Sequence, residues 1–154
     1  MPFPNQEQIH HDIARGKYQS KIDMSNAYEQ IRVEPQDVWK MAFVTIYGTF
    51  VSHTMQQGDC NAPATFQRLM TVIFWDFIRR FVHVYLDNIF VYSNSVKEHK
   101  KDLGLVFDKL CKAQLYLEES KLDLYSKQMD CLGQWLGYPC QYWQNGSCSW
   151  MENT

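Results

Sequence analysis

The sequence predicts an α+β fold, a small antiparallel sheet backed on one face by two helices, and three observations predict it. Residues 17–24 alternate in the manner of a strand, two β-rich runs flank the dipeptide Asp87-Asn88, and two amphipathic helical stripes follow Asn61 and Ser95. The chain has 154 residues, 45% of them hydrophobic and 15% aromatic, enough for one ordinary domain with its own core.

The first strand is KYQSKIDM, residues 17–24, with Tyr18, Ser20 and Ile22 on one face and Asp23 at its end. Next come two β-rich runs, WKMAFVTIY and FVSHTM, on either side of Gly48-Thr49, a pair suited to a two-residue hairpin turn. A helix is expected after Asn61, a good N-cap, with Pro63 in the first turn where a missing N–H does no harm. Its stripe of Phe66, Leu69, Met70, Ile73, Phe74, Phe77 and Ile78 must pack on a sheet or another helix, whereas Arg68, Asp76, Arg79 and Arg80 fall outside it.

Residues 81–86 and 89–92 read as a second hairpin that turns at Asp87-Asn88 and presents both side chains at its tip. Ser95 and Glu98 form a capping box for a second helix, with Val96, Leu103, Phe107 and Leu110 at helical spacing and Gly104 as a weak point. From Gln134 onward the character changes: three tryptophans, two cysteines and two glycines occur without periodicity, and Glu152 is the only charged residue. The domain is therefore expected to span 1–133, with 134–154 as a divergent, poorly ordered tail.

Composition excludes several classes. Fifteen Lys plus Arg against 17 Asp plus Glu give a net charge of −2, so no global positive field draws nucleic acid. The cysteines (Cys60, Cys111, Cys131, Cys140 and Cys148) show no CxxC pair and no zinc-finger spacing, and read as free thiols of a reducing compartment. The N-terminus lacks a basic region followed by an apolar one, and no run of about 18 apolar residues occurs. The expectation is a soluble intracellular chain with no membrane partner.

Two aspartates converging from a strand end and a hairpin tip suit a pair of divalent ions in nucleotidyl transfer, where Mg²⁺ demands hard oxygen ligands. Asp23 and Asp87 are placed for that. On spacing alone each also has an ordinary structural use, Asp23 as a turn or capping residue and Asp87-Asn88 as favourable turn residues.

The order and wording of the segments resemble the reverse transcriptases of gypsy-type long-terminal-repeat retrotransposons from about Pro4 to Gly133. SKIDMSNAYEQIRV is similar to the family's first catalytic block, which implies that Asp23 binds both metals, that the Met24 carbonyl assists, and that Tyr28 is the steric gate against a ribose 2′-OH. QGDCNAPATFQRLM resembles the second block, whose Gly58, Asn61, Ala62 and Pro63 shape the pocket for nucleotide and template and whose Gln57 contacts the nucleotide region. VYLDNIFVYS resembles the third, usually Tyr-x-Asp-Asp, which puts Tyr85 in the template and primer region and Asp87 at the first acidic position. Lys121 resembles the basic residue after the palm helix, and Cys131-Leu132-Gly133 the start of the primer-grip turn. Read without the resemblance, Tyr28 is core aromatic surface, Lys121 a solvated charge, and Gln57 and Asn61 plain loop and capping residues.

The resemblance implies a reverse-transcriptase palm-like, split βαβ fold with partial fingers. It also implies RNA-directed DNA polymerase chemistry with Mg²⁺ or Mn²⁺, partners that include an RNA or DNA template-primer and a dNTP, and other polyprotein subunits. Three departures bear on activity. Asn88 stands where the family has its second aspartate, which removes a charge from a metal site. The chain starts half-way through the family's fingers, and the resemblance ends before its thumb, so low polymerase activity is expected of it. The alternative is a non-catalytic palm relic or an interaction module that offers an apolar sheet surface.

Overall fold

The computed structural model describes residues 4–137. Its centre is a four-stranded antiparallel sheet of β1 (Tyr18–Asp23), β4 (Val82–Tyr85), β5 (Asn88–Ser93) and β6 (Leu122–Ser126), in the order β4-β5-β1-β6. The hairpin of β2 (Ala42–Thr45) and β3 (Gly48–Val51) is inserted after β1, and a second hairpin, β7 (Gln128–Cys131) with β8 (Gln134–Gly137), follows β6. The helices are α1 (Gln6–Ala14), α2 (Ala62–Ile73) and α3 (Val96–Lys112). From β1 onward the central unit runs βαββαβ, the split βαβ arrangement expected from the sequence.

Strand alternation divides the side chains between two cores. Ile22 of β1, Val82 and Val84 of β4, and Ile89 and Val91 of β5 face α2 and α3, where Phe66, Met70, Phe74, Leu103, Val106 and Leu110 complete the main core. Phe90 points the other way, into a smaller core with Ile9 and Ile13 of α1 and Met129, Cys131 and Leu136 of the last hairpin. The sheet is therefore covered on both faces rather than backed on one. Helix α1 had a readable signal: Asn5 caps it by accepting the Glu7 amide at 2.9 Å, and Ile9 and Ile13 lie four residues apart on its buried side.

Several boundaries differ from the sequence expectation. The first hairpin turns at Ile46-Tyr47, because Thr45 pairs with Gly48; Gly48 begins β3 at φ +130°, and residues 35–41 form a 3₁₀ helix. That hairpin is open to solvent, with Phe43, Val44, Ile46, Tyr47, Phe50 and Val51 all exposed. Helix α2 ends at Ile73 with Phe74 as its C-cap, and the Asn61 side chain makes no capping hydrogen bond. The capping box of α3 is present, the Ser95 hydroxyl accepting the Glu98 amide at 3.3 Å, but Val96 is exposed and Val106, not Phe107, is fully buried. Gln134–Gly137, grouped with the tail by composition, pair as β8; the rest of the expected disordered tail, 138–154, lies outside the described residues. Among the described residues no helix is long and apolar enough to cross a membrane.

Candidate active site

Asp23 ends β1 directly opposite Asn88, the first residue of β5. The β4–β5 turn is Leu86-Asp87, because Tyr85 pairs with Asn88, so Asp87 occupies the tip and Asn88 belongs to the strand. The Met24 amide donates to the Asp87 carbonyl at 3.1 Å, which fastens the chain leaving β1 to that tip. Asp23 and Asp87 are thereby held side by side. Burial and then the negative charge of Asp87 push the Asp23 carboxyl up from its ordinary range, while Lys21 and Lys121 act in the opposite sense.

Around this pair the sequence-derived residues fall into two groups. Tyr28 lies in a 3₁₀ turn after β1, its ring edge-on to Phe66 with centroids 5.6 Å apart. Burial and Asp87 raise its phenol above the ordinary value, so the hydroxyl stays neutral beside the carboxylates. Lys121 stands in the 3₁₀ turn before β6, 3.3 Å from Glu118, and lines a cleft of about 310 Å³ with Lys21, Asp23 and Asp130. Leu132 and Gly133 form the β7–β8 turn at φ +53° and +82°, where the Asp130 carboxylate accepts the Gly133 amide at 3.1 Å.

The second group comes from the loop before α2, the start of that helix and the end of β4. Gln57 and Gly58 lie in the exposed loop before α2, with Gly58 at φ +104°, a conformation that favours glycine. Asn61 is exposed, and Pro63 sits in the first turn of α2. Tyr85 packs against the smaller core, and its hydroxyl accepts from Gln6 Nε2 at 2.7 Å, so it faces α1.

Two glutamines that position the site were not singled out from sequence. Gln67 is buried in α2; its Oε1 accepts the Leu86 amide at 2.7 Å and its Nε2 donates to the Val84 carbonyl at 3.2 Å. Leu86 adopts φ +53°, an unfavourable conformation for leucine, and this clamp helps to hold it there. Gln30 spans Ser25 and Tyr116: its Nε2 donates to both carbonyls, at 2.6 and 3.0 Å, and its Oε1 accepts the Tyr116 amide at 2.7 Å. For Gln67 the signal was a glutamine in register with Met70 and Phe74 on the buried side of an amphipathic helix.

As a metal site the arrangement is partly complete. Asp23 and Asp87 repel one another, a strain that a divalent cation relieves, so the donor set fits such an ion. Asn88 supplies no third carboxylate: its Nδ2 donates to Asp87 Oδ1 at 3.1 Å, and its Oδ1 is buried without a hydrogen-bond partner. Among the described residues no cluster of three or more His, Cys, Asp or Glu is placed to hold a metal.

Known proteins share this organisation. The Retrovirus-related Pol polyprotein from transposon 297 of Drosophila melanogaster is 36% identical over 132 residues, covering 86% of this chain and 12% of that polyprotein. An RNA-directed DNA polymerase homolog of Oenothera berteroana is 37% identical over 108 residues, 68% of this chain and 76% of that protein. The Tf2-7 transposon polyprotein of Schizosaccharomyces pombe is 33% identical over 144 residues, 91% of this chain and 11% of its own length. The chain thus spans about an eighth of the polyproteins it matches.

Among solved structures, a foamy viral protease-reverse transcriptase in complex with double-stranded DNA superposes with a TM-score of 0.81 at 26% identity, covering 89% of this chain and 24% of that one. The same enzyme with an RNA/DNA hybrid gives 0.81 at 26% identity, over 88% and 18%. Residues 1–136 match the family described as reverse transcriptase (RNA-dependent DNA polymerase). With the sheet order, the paired aspartates and the relatives in agreement, the chain belongs to the reverse transcriptase family and carries its palm fold.

Proposed function

We propose that the Asp23–Asp87 end of the sheet serves template-directed addition of deoxynucleotides to a primer 3′-OH. One observation carries this reading: Asp23 ends β1 opposite Asn88 while the Met24 amide binds the Asp87 carbonyl, which sets both aspartates at the same end of the sheet. In the reaction the primer oxygen bonds to the α-phosphorus, the bond to the β-phosphate breaks, pyrophosphate leaves and the hydroxyl proton passes to water. Mg²⁺ or Mn²⁺, when bound, supplies charge neutralisation at the attacking and leaving oxygens. Asp23 and Asp87, with the Met24 carbonyl, would hold it.

The chain's own residues act by placement. The Met24 amide and the Gln67 clamp fix the tip that carries Asp87. Tyr28 is neutral and braced on Phe66, and in this reading it is the steric gate that excludes a ribose 2′-OH. Lys121 adds a positive charge that favours ionised Asp23. Asn88 leaves the site one carboxylate short, so extension by this chain should be weak.

Calorimetric titration with Mn²⁺ tests the reading. Binding that disappears in Asp23→Asn and in Asp87→Asn is the expected result. Heat that is absent in the parent chain, or unchanged in both variants, overturns it.

A further inference from the structure

The opposite end of the same two strands carries a cleft that the polymerase reading does not use. β1 and β5 are each six residues long and fully paired, so this end lies roughly 17 Å from the aspartates at about 3.3 Å per residue. The cleft, of about 270 Å³, is lined by Arg15, Arg79, Arg80, Tyr92 and Gly16, with Asp12 as its carboxylate. Three arginines line it in a chain whose net charge is −2.

These guanidinium groups are not committed elsewhere. None of the three forms an ion pair among the described residues, and Arg80 makes one long hydrogen bond, to the Asp76 carbonyl at 3.4 Å. The carboxylate in the cleft offsets one of the three positive charges at most, and it forms no ion pair with an arginine among the described residues, its oxygens being hydrogen-bonded to other groups. Asp12 is 2.9 Å from His83 Nε2, accepts from Gln8 Nε2 at 2.9 Å, and lies 3.5 Å from His11 Nδ1. Burial pushes the Tyr92 phenol up to about 12, so it remains a neutral hydrogen-bond donor beside the guanidinium groups.

The backbone adds an independent observation. Arg79 adopts φ +68°, a left-handed conformation costly for arginine, and is pinned by its own amide donating to the Val82 carbonyl at 3.1 Å. Glycine or asparagine serves such a turn at lower cost. The arginine at this position lines the cleft beside Arg80, just before β4. On the other wall, Gly16 brings the end of α1 so close to β5 that an added Cβ would stand 2.9 Å from Tyr92 Cβ.

We propose that this cleft binds phosphate, either free or as part of a polynucleotide backbone. Planar guanidinium groups match phosphate oxygens in bidentate geometry, and Tyr92 supplies a neutral donor. The cleft is separate from the Asp23 site and does not depend on the polymerase reading.

The test is calorimetric titration of the full chain at low salt with inorganic phosphate, with pyrophosphate, and with a short single-stranded oligonucleotide. Arg79→Gln and Arg15→Gln should each weaken binding about tenfold, with Lys112→Gln as an unaffected control. Saturation by inorganic phosphate identifies a free anion. Binding by the oligonucleotide alone identifies a polynucleotide, and each arginine removed should then lower the slope of log K against log salt by about 0.7. Arg79→Gly should lose affinity while melting no lower than the parent, which excludes unfolding as the cause. Failure of all three ligands to bind overturns the proposal. So does binding that survives both arginine substitutions, or binding abolished by Asp23→Asn.

Discussion

Gln67 uses both ends of its side-chain amide on the β4–β5 hairpin, accepting the Leu86 N–H at 2.7 Å and donating to the Val84 carbonyl at 3.2 Å. Gln67 is buried, and its part-buried bond to Leu86 restrains a left-handed leucine at the turn that carries Asp87. Gln67→Leu keeps the volume but leaves a buried N–H and C=O without partners, at a cost of about 1–3 kcal/mol. Urea unfolding should show that loss, and Mn²⁺ affinity should fall with it because the tip is no longer held. A variant with unchanged stability and affinity would show that the Leu86 turn holds itself.

Asn88→Asp should act in opposite directions on the two states. Without metal, a third negative charge beside Asp87 and Asp23 lowers stability, since the donor Nδ2 and its bond to Asp87 are lost. With metal, the added carboxylate becomes a ligand, and affinity should rise on the order of tenfold, in line with the size of such effects at metal sites. Thermal melts with and without Mn²⁺ separate these terms. The expected pattern is a lower Tm without metal and a larger metal-induced rise than in the parent; equal rises would discount Asn88 as the site's defect.

Most of this organisation was legible because it is periodic or local. The β1 strand, the α2 stripe as far as Ile73 and the Ser95 N-cap appear at the expected places, since each depends on neighbours within one or two turns, whereas Phe77 and Ile78 fall beyond the end of the helix. A strand end and a hairpin tip already offered Asp23 and Asp87 as a converging pair, and the family resemblance set that reading above their ordinary uses as turn and capping residues. What sequence did not reveal depends on long-range pairing: Gln67 to Leu86, Gln30 to Tyr116, and the cover of α1 and β7–β8 over the second face. The hairpin turns were misplaced by one or two residues because turn preference favoured Gly48 and Asn88, whereas strand register put Ile46-Tyr47 and Leu86-Asp87 at the tips.

Stability should fall as pH drops below about 6.5, the unperturbed histidine value. His99 is fully buried with Nε2 2.7 Å from Ser20 Oγ and Nδ1 3.0 Å from Ser93 Oγ, and the Ser93 hydroxyl donates to Asp102 at 2.7 Å. Because Ser93 spends its proton on Asp102, His99 Nδ1 must donate to Ser93 and Nε2 must accept from Ser20. The Ser20 oxygen in turn accepts the Tyr125 amide at 3.0 Å.

Protonating Nε2 would turn two donors on each other. Burial lowers the His99 pKa, against the opposing charge of Asp102, and burial likewise lowers that of His83 despite Asp12. A histidine with a depressed folded pKa binds fewer protons folded than unfolded. Its contribution is therefore complete above the unfolded value and is lost as pH falls towards the folded one. Urea midpoints across this range should decline, and His99→Gln should flatten the decline. A midpoint that holds level through the interval would contradict the neutral assignment.

Two glycine-to-alanine substitutions should move stability in opposite directions, although alanine restricts the unfolded chain in both. At Gly104, in the middle of α3, nothing lies within 4 Å of an added Cβ. Gly104→Ala should therefore stabilise by about 0.5–1 kcal/mol through helix propensity. At Gly16 the same methyl would stand 2.9 Å from Tyr92 Cβ and 3.2 Å from the Ser93 amide nitrogen. Neither atom is the free end of a flexible side chain, so α1 would have to shift away from β5. Overpacking of this kind costs about 1–3 kcal/mol, which exceeds the entropic gain of about 0.4–1 kcal/mol. Gly16→Ala should therefore melt lower and Gly104→Ala higher than the parent in the same buffer. A Gly16→Ala chain that melts higher would mean that α1 is free to move off the sheet, and that the close approach forming one wall of the arginine cleft is not fixed by packing.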